Sequence, residues 1–450
     1  MSSVKKNKII FIILVLIVYQ NISSPQGTWE RLNSPTNENL SSVYFVDSLY
    51  GWAAGASGTI IHTTNGGADW VLQDTGSENN ILDIFFLDRN LGWAVTWEVM
   101  NYPFGTYVLR TTDGGTNWIR SSDPVEIIFS QCITFTDSHN GWMGGKPYPI
   151  ARTTDGGDTW VEAEIDSSTY STFPVYDIKF YNNKIGYASG GVFDCCGIMW
   201  WTTNGGNYWF VADTPNVGTE PIYQVHIIDS LNVIGVGGDF EWWGFGVATM
   251  RTSDGGNFWD FEYIGVSGVA WDIDFRTDYE VWAALGGEQK LIYSFDDGST
   301  WTSVPTPDSS MIFKMIFTDS LHGFGVGLDG AIIKYKPDTT TSVISLKHQI
   351  PEAFYLEQNY PNPFNPTTNI GFSIPAGRDL VENGRISDFG FVSLKVYDVL
   401  GSEVATLVDQ ELEAGSYEII FDAGQLPSGV YFYTLSAGNY FSSKKMILLH

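Results

Sequence analysis

The sequence contains few cysteines and no cysteine framework. Three cysteines occur in 450 residues, at Cys132, Cys195 and Cys196. Adjacent cysteines rarely bond to each other, because the small ring strains the peptide between them. A disulfide scaffold is therefore excluded. Without further cysteines or suitably spaced histidines, the pair is also weak evidence for a metal site. We expect packing residues or at most one bridge, with no metal and no cofactor.

Basic residues are also scarce. The chain has 23 Lys and Arg against 51 Asp and Glu, a formal net charge of −28. A field of that sign repels phosphate backbones, so we expect no nucleic-acid partner. Charged residues make up only 16% of the chain, whereas there are 48 glycines and 17 tryptophans. This composition favours many short strands over amphipathic helices and predicts an all-β protein.

No long hydrophobic run follows the amino terminus. The one apolar run, at 9–19, comes after Lys5, Lys6 and Lys8 and before a polar stretch that ends at Gln26. It is short for a membrane-spanning helix and typical of a signal-peptide core. We interpret residues 1–26 as a signal peptide, with a retained membrane anchor as the alternative. After processing, no stable membrane span is expected.

A short motif recurs six times along the chain. Its first copy, at 63–70, reads Thr-Thr-Asn-Gly-Gly-Ala-Asp-Trp, and each copy ends in a tryptophan. These tryptophans lie 42 to 50 residues apart, at Trp70, Trp118, Trp160, Trp209, Trp259 and Trp301. This period is the length of one four-stranded propeller blade.

A second pattern, an apolar strand followed by a turn and a glycine-rich strand, occurs seven times. Its last copy, at 315–324, precedes a strand at 331–336 but no further motif. Residues 27–31 carry the Gly-Thr-Trp end of the missing motif. By pairing with 331–336 they can close the ring and remove its exposed edges. The sequence thus predicts a seven-bladed β-propeller over residues 27–336.

The recurring motif resembles the Asp-box (BNR repeat) of sialidases, sortilin-type receptors, certain xyloglucan hydrolases and the photosystem assembly factor (YCF48-like) propellers. The similarity is greatest to the last group, which shares the Thr-Thr-Asp-Gly-Gly phrasing. The polar residue of the motif can accept hydrogen bonds from turn amides, and its glycine permits a positive φ. We therefore expect structural, non-catalytic roles for Asn65, Asp113, Asp155, Asn204, Asp254 and Asp296.

The loops between second and third strands differ in length, and such differences are where function is sought. Insertions in the second, fourth and fifth repeats combine aromatic rings with acids. On one rim these groups can stack on and hydrogen-bond a sugar or another polar chain. The alternative is that the loops bury their own rings. The candidate ligand-binding residues are Trp97, Glu98, Tyr102, Asp194, Asp239, Glu241, Trp242 and Trp243, with Phe104, Phe193, Phe240 and Phe245 beside them.

No catalytic residue is assigned. A sialidase needs a convergent arginine cluster, whereas Arg110, Arg152 and Arg251 occupy one repeat-equivalent position and so ring the periphery. The xyloglucan hydrolases resemble two facing propellers, and this sequence predicts one. Glycoside hydrolysis needs two carboxylates about 5–10 Å apart, and nothing marks such a pair among the loop acids. We expect a non-catalytic binding platform for a protein or glycan, with a secreted glycan-active hydrolase as the alternative.

The composition changes after residue 336. Residues 337–353 are polar and are interpreted as a linker. Residues 354–450 contain six or seven short strands with glycine-rich turns, which predicts a small β-sandwich. This region resembles the type A C-terminal sorting domain of the type IX secretion system, in the Asn-Tyr-Pro-Asn-Pro-Phe-Asn-Pro opening at 359–366, at 395–401, at 428–433 and in Lys444-Lys445-Met446. The resemblance implies contact with that machinery and delivery to the medium or the outer cell surface. An ordinary adhesive sandwich is the alternative.

Overall fold

The computed structural model describes residues 27–122, 124–167, 172–212, 220–239, 246–277, 280–337, 344–347, 353–375, 391–412, 415–424, 426–437 and 440–449. These residues form strands and turns, with short 3₁₀ helices at Ala56–Gly58, Gly286–Glu288 and Pro307–Ser309. No helix among them is long and apolar enough to cross a membrane.

Seven antiparallel sheets form the blades of a propeller, and successive strands pair within each blade. Blade 1 contains Leu40–Phe45, Gly51–Gly55, Ile60–Thr63 and Val71–Gln73. Blade 2 contains Ile81–Phe86, Gly92–Glu98, Gly105–Thr111 and Ile119–Arg120. Blade 3 contains Ile128–Phe135, Gly141–Pro147, Ile150–Thr153 and Val161–Glu162. Blade 4 contains Val175–Phe180, Gly186–Val192, Cys196–Thr202 and Tyr208–Val211. Blade 5 contains Ile222–Ile227, Val233–Gly238, Val247–Thr252 and Asp260–Tyr263. Blade 6 contains Asp272–Phe275, Val281–Ala284, Lys290–Ser294 and Thr302–Pro305. A short extra strand, Glu164–Ile165, pairs in parallel with the outer strand of blade 4.

Blade 7 joins the two ends of the propeller sequence. Ile312–Asp319, His322–Gly327 and Ile332–Pro337 come from the end of the propeller, and Gly27–Arg31 supplies the outer strand. Trp29 lies opposite Tyr335 in this pairing. The closure that the sequence predicts is therefore present, and it leaves no unpaired blade edge at the junction.

Aromatic stacking holds neighbouring blades together. At the junctions of blades 1 and 2, 2 and 3, 3 and 4, and 7 and 1, the second-strand ring of one blade packs on the ring that ends the first strand of the next. Trp52 stacks on Phe86 at 3.5 Å and Trp93 on Phe135 at 3.7 Å between centroids. In blades 1 to 4 and 7 a glycine precedes the second-strand ring and leaves room for the first-strand ring of its own blade. A Cβ on Gly92 would lie 2.5 Å from the ring of Phe86. Each blade thus shares a hydrophobic layer with its neighbour.

Two further sheets form a sandwich in the C-terminal region. One contains Tyr355–Leu356, Thr367–Ile374, Gly415–Asp422 and Ile344–Lys347, and the other contains Phe391–Tyr397, Glu403–Glu411, Gly429–Ala437 and Tyr440–Leu448. Inward-facing side chains of both sheets, such as Ile370 and Leu394, share one buried core. Residues 344–347 fall inside the segment 337–353 that we expected to be a linker. Because they pair with Gly415–Asp422, the sandwich begins earlier than the polar composition indicates.

Candidate functional site

The insertion of blade 2 packs against the next blade along the ring. Trp97 donates a hydrogen bond from Nε1 to the carbonyl oxygen of Ser130 at 2.6 Å, and its ring contacts that of Phe129 at 5.8 Å. The Glu98 carboxylate accepts the amides of Met100 and Asn101, both at 2.8 Å. These amides hold the pKa of Glu98 below its usual value. Trp97 and Glu98 therefore already form hydrogen bonds within the propeller.

The remaining loop candidates occupy different environments. Tyr102 is 82% exposed and touches Phe104, which is 46% exposed, at 6.0 Å between ring centroids. Asp194 is exposed at the tip of the blade 4 hairpin. Asp239 is buried; burial of Tyr223 raises the pKa of that phenol, and the charge of Asp239 adds to the effect. Glu241, Trp242 and Trp243, together with Phe240 and Phe245, lie outside the described residues.

The Asp-box residues are held inside their own turns. Asp113 Oδ1 accepts the hydroxyl of Thr111 and the amide of Asn117, both at 2.9 Å. The same pair of contacts recurs at Asn65, Asp155, Asn204, Asp254 and Asp296. Burial opposes ionisation of Asp155, but hydrogen bonds from Thr159 and Thr153 lower its pKa to about 2. These contacts agree with a scaffold role for the motif, as we propose for all six copies.

A cavity of about 600 Å³ lies at the centre of the propeller, between the innermost strands of the blades. The strands bear two rings of side chains, one residue per blade in each ring. The floor ring consists of Ser42, Asp83, Cys132, Asp177, Gln224, Asp272 and Lys314. The wall ring consists of Tyr44, Phe85, Thr134, Lys179, His226, Asp274 and Ile316. All of the wall ring and all of the floor ring except Cys132 line the cavity. We call this cavity the axial pocket.

A local irregularity in the strands produces the floor ring. The pairing of first and second strands shifts register between Leu40 and Ser42, and the same shift recurs in blades 2 to 5 and 7. Such bulges re-aim side chains at a sheet edge. Each shift falls directly before the floor residue of its blade.

The floor carboxylates connect each blade to the next. Asp83 Oδ2 accepts the amide of Ile133 at 2.9 Å, and Asp272 Oδ2 accepts the amide of Met315 at 2.6 Å. In both cases the amide belongs to the residue after the neighbouring floor residue. Backbone hydrogen bonds of this kind fix the carboxylates in position before any ligand arrives.

The mouth and the opposite end of the axial pocket differ. Its lining reaches Asn182 and Asn183, in the turn that hydrogen-bonds to the Asp-box of blade 4. The pocket therefore opens on the Asp-box face.

At the opposite end of the axial pocket, the residue before each floor residue of blades 4 to 7 is aromatic. These four rings belong to Tyr176, Tyr223, Trp271 and Phe313. The centroids of successive rings lie 5.3, 4.7 and 5.5 Å apart, so each ring contacts the next.

The charges in the axial pocket are concentrated on blades 4 to 7. Lys314 donates to Gln224 Oε1 at 2.6 Å and lies 3.8 Å from Asp272 Oδ1. In the wall ring, His226 Nδ1 lies 3.1 Å from Asp274 Oδ1. Blades 1 to 3 contribute uncharged groups to the wall instead, including the rings of Tyr44 and Phe85, whose centroids are 4.9 Å apart. The pocket thus has one charged side and one side that is partly aromatic.

Burial and mutual charge set the ionisation of these groups. Burial raises the pKa of Asp272 to about 6, against the opposing charges of Lys314 and Lys179. Burial also raises the pKa of Asp83. Burial disfavours the ammonium form of Lys314, but the carboxylates of Asp272 and Asp177 outweigh it and raise its pKa. Lys314 is therefore a permanent cation at neutral pH, whereas Asp272 titrates near pH 6.

The donor set does not suggest a metal centre. No group of three or more His, Cys, Asp or Glu side chains in the described ranges has metal-binding geometry. The floor carboxylates instead stand on different blades, each engaged with a backbone amide. Their arrangement suits recognition of an organic ligand with polar groups.

Two family models match the chain in separate regions. The model for photosynthesis system II assembly factor YCF48 matches residues 22–122 and 259–336, and the model for the secretion system C-terminal sorting domain matches residues 358–449. The chain is therefore similar to YCF48 over part of its propeller, and its C-terminal region matches a secretion-system sorting domain. The sorting domain implies interaction with the secretion machinery, and export of the propeller that precedes it.

Individual relatives show the same similarity. The photosystem II assembly lipoprotein Ycf48 of Synechococcus sp. (strain CC9902) is 26% identical over 337 residues, which cover 70% of this chain and 89% of the relative. The solved structure of YCF48 bound to D1 peptide is 21% identical, with a TM-score of 0.55 over 68% of this chain and 96% of that chain. The GH74 xyloglucanase of Xanthomonas campestris is 12% identical, with a TM-score of 0.55 over 77% and 59%. Both structures show a shared fold.

Sequence reasoning missed the axial pocket, although a signal for it exists. Each of the seven apolar first strands contains one small, polar or charged residue at the same place, such as Asp83, Asp177 or Lys314. A charged residue in an otherwise apolar strand calls for a partner or a water-filled space. Aligning the seven first strands would have brought these residues together at the propeller axis.

Proposed function

We propose that the chain is an exported surface or secreted protein that binds a polypeptide segment of a partner in its axial pocket and catalyses no reaction. The observation that carries this proposal is a preformed cavity with charged groups fixed on rigid inner strands. A cavity of about 600 Å³ is large enough to hold part of a ligand. Strands also position a site more accurately than loops do.

The relatives give this proposal a direction. One of the solved YCF48 structures is described as bound to D1 peptide, so that relative binds a peptide. For this chain a peptide ligand remains part of our proposal, because identity at this level establishes only a shared fold. A segment that crosses the Asp-box face would be able to place one side chain in the pocket mouth and extend over the neighbouring turns.

Site-specific photo-crosslinking in the native bacterium tests this function. A benzoylphenylalanine at position 44 would stand in the pocket wall, and one at position 71 would stand on the exposed outer strand of blade 1. We expect a discrete polypeptide adduct from position 44 and none from position 71. Adducts of equal yield at both positions, or none at either, would contradict the proposed pocket function.

A second candidate function rests on the loop face. The exposed pair Tyr102 and Phe104 offers aromatic surface on which a sugar ring can stack. A glycan array probed with the wild-type chain and with Tyr102→Ala tests this candidate. Saturable binding that the variant loses would support a glycan ligand. Hydrolysis has less support, because the amides that stabilise the Glu98 carboxylate oppose a role as a general acid.

A further inference from the structure

The charged side of the axial pocket points to a particular kind of ligand group. We infer that the pocket binds a lysine or arginine side chain of the partner, with its cationic group at the Asp177 and Asp272 carboxylates. This inference rests on the proposed function and names the chemical group that the pocket recognises.

The floor ring holds more carboxylates than cations. Asp83, Asp177 and Asp272 face the single ammonium of Lys314. That ammonium makes its close hydrogen bond to the neutral amide of Gln224, at 2.6 Å. Its contact with Asp272 is longer, at 3.8 Å. The resident cation therefore compensates only part of the carboxylate charge, and a second cation would be stabilised in the same space.

Asp177 is the carboxylate best prepared for a ligand. Its side chain is buried, with 6% of the residue exposed, and it lines the pocket. Oδ2 accepts the amide of Val225 at 3.2 Å, and in the described part of the chain Oδ1 accepts no hydrogen bond. Oδ1 is not enclosed by the protein and belongs to a residue that lines the pocket, so it can accept a donor from outside the chain. An incoming ammonium or guanidinium would supply that donor.

The opposite wall suits the rest of a basic side chain. Tyr44 and Phe85 present neighbouring rings on blades 1 and 2, across the pocket from the charged blades. Lysine and arginine carry long apolar stems below a charged head, and aromatic faces attract such heads. One basic side chain can therefore contact the rings with its stem while its head reaches the floor carboxylates.

The charge of the whole chain favours the same ligand. A formal net charge of −28 attracts cationic segments and repels acidic ones before contact. Lys179 in the wall opposes this attraction locally, because its ammonium repels a second cation and already interacts with the carboxylates of Asp272 and Asp274. Removing this ammonium should therefore strengthen binding of a cation, whereas removing a floor carboxylate should weaken it.

Binding of short peptides to the chain comprising residues 27–450 tests the inference. Five-residue peptides, blocked at both ends, carry Lys, Arg, norleucine or Glu at the centre between glycines, and calorimetry measures their affinities at pH 7.5. We expect the Lys and Arg peptides to bind about tenfold tighter than the norleucine peptide, a difference of about 1.4 kcal/mol. The difference should shrink as the ionic strength is raised about tenfold, from roughly 0.05 M to roughly 0.5 M, because salt screens the attraction between charges.

Three substitutions make the test specific. Asp177→Asn should weaken the Lys peptide about tenfold while its side-chain oxygen can still accept the Val225 amide. Lys179→Gln should tighten the same peptide. Asp113→Asn is the matched control, since asparagine already occupies this Asp-box position at Asn65 and Asn204. It changes the net charge as Asp177→Asn does, outside the pocket, and should leave binding unchanged. Thermal unfolding of each variant checks that the fold is retained.

The possible failures are distinguishable. Equal affinity for the Lys and norleucine peptides, or unchanged Lys binding by Asp177→Asn, would overturn cation recognition. If a partner crosslinks to position 44 in cells but the Lys and Arg peptides do not bind, the cation inference fails and the proposed binding function stands. If crosslinking at position 44 also fails, both fail together.

Discussion

At the scale of single residues, the floor ring of the axial pocket has two tasks. Each carboxylate that faces the cavity also accepts an amide from the next blade, as Asp83 does from Ile133. Polar residues at the axis therefore contribute to closure of the ring as well as to the chemistry of the pocket. Substitutions can separate the two tasks, because some retain the acceptor while removing the charge.

Asp83 provides the test of the structural task. Its two oxygens accept the Ser42 hydroxyl at 2.6 Å and the Ile133 amide at 2.9 Å. Asp83→Leu should lower the free energy of unfolding by about 1–3 kcal/mol, because the buried amide loses its partner. Asp83→Asn keeps an acceptor and should cost less. Urea unfolding followed by tryptophan fluorescence measures both variants, and an equal loss would show that the amide contact is unimportant.

Asp272 makes a pH-dependent contribution to stability. Burial raises its pKa to about 6 from the model-compound value of 3.8. The folded state therefore holds this proton more tightly than the unfolded state does. The contribution is fully present below about pH 4 and is lost as pH rises through 6. Across that window, wild type should lose stability relative to Asp272→Asn, by at most about 3 kcal/mol.

Urea unfolding at pH 4, 5, 6 and 7 measures this difference. Comparing wild type with Asp272→Asn at each pH removes the contribution of groups that titrate alike in both proteins. The substitution also replaces the partner of Lys314, which adds an offset that varies little over this range, since Lys314 stays charged. A difference that stays constant from pH 4 to 7 would contradict the raised pKa.

At the scale of elements, closure of blade 7 depends on one short strand. Gly27–Arg31 pairs with Ile332–Pro337, and Trp29 packs its ring against Trp282, Phe317 and Tyr335 at 5.5 to 5.7 Å. Trp29→Ala should therefore lower the free energy of unfolding by about 3 kcal/mol. Thr28→Ala, on the exposed side of the same strand, is the control and should have little effect.

Hydrogen exchange locates the effect of Trp29→Ala. Loss of the ring should increase exchange first at the amides of Gly27–Arg31 and Ile332–Pro337, because these strands lose their shared packing. Exchange in blades 2 to 4, away from the junction, should change much less. Uniform acceleration in all blades would instead indicate that the ring opens only as a whole.

The blades were predictable from the sequence because their signals are local. Each Asp-box turn is specified within eight residues, and the incomplete seventh repeat at 315–336 required the strand at 27–31. The pocket was harder to predict because it is formed by one residue from each blade, far apart in sequence. The bulge before the floor residue of blades 1 to 5 and 7 also alters the side-chain direction that simple strand alternation predicts.

The loop candidates show a second limit of sequence reasoning. Trp97 and Glu98 were selected for their residue types, yet their partners are a carbonyl of blade 3 and nearby turn amides. Composition identifies groups that can bind a ligand, but it does not reveal whether the fold already uses them. The exposed Tyr102 remains available for a ligand, which is why we retain the glycan candidate.

At the scale of the whole molecule, the propeller and the C-terminal sandwich are built from separate strands. The ring closes with its own ends, Gly27–Arg31 and Ile332–Pro337. Strands after residue 337 pair within the two sheets of the sandwich. Neither unit takes a strand from the other in the described residues, so removal of the sandwich leaves every blade with its full set of strands.

This organisation predicts that export and folding can be separated. A chain that ends at Pro337 should retain a folded propeller but lose the interaction with the secretion machinery, because the sorting domain is absent. Tryptophan fluorescence reports on the propeller alone, since all 17 tryptophans lie between Trp29 and Trp301. The truncated chain should therefore show the same tryptophan unfolding transition as the full chain. Cell fractionation should find that it has not crossed the outer membrane.

Export of the full chain with Asp113→Asn is the control for this experiment, since that substitution leaves the sorting domain intact. Arrival of the truncated chain at the cell surface or in the medium would mean that the propeller carries its own export signal. Retention with an altered tryptophan transition would instead show that the sandwich supports the propeller fold. Retention with an unchanged transition is the expected result, because the strand pairing that completes blade 7 lies wholly before residue 338.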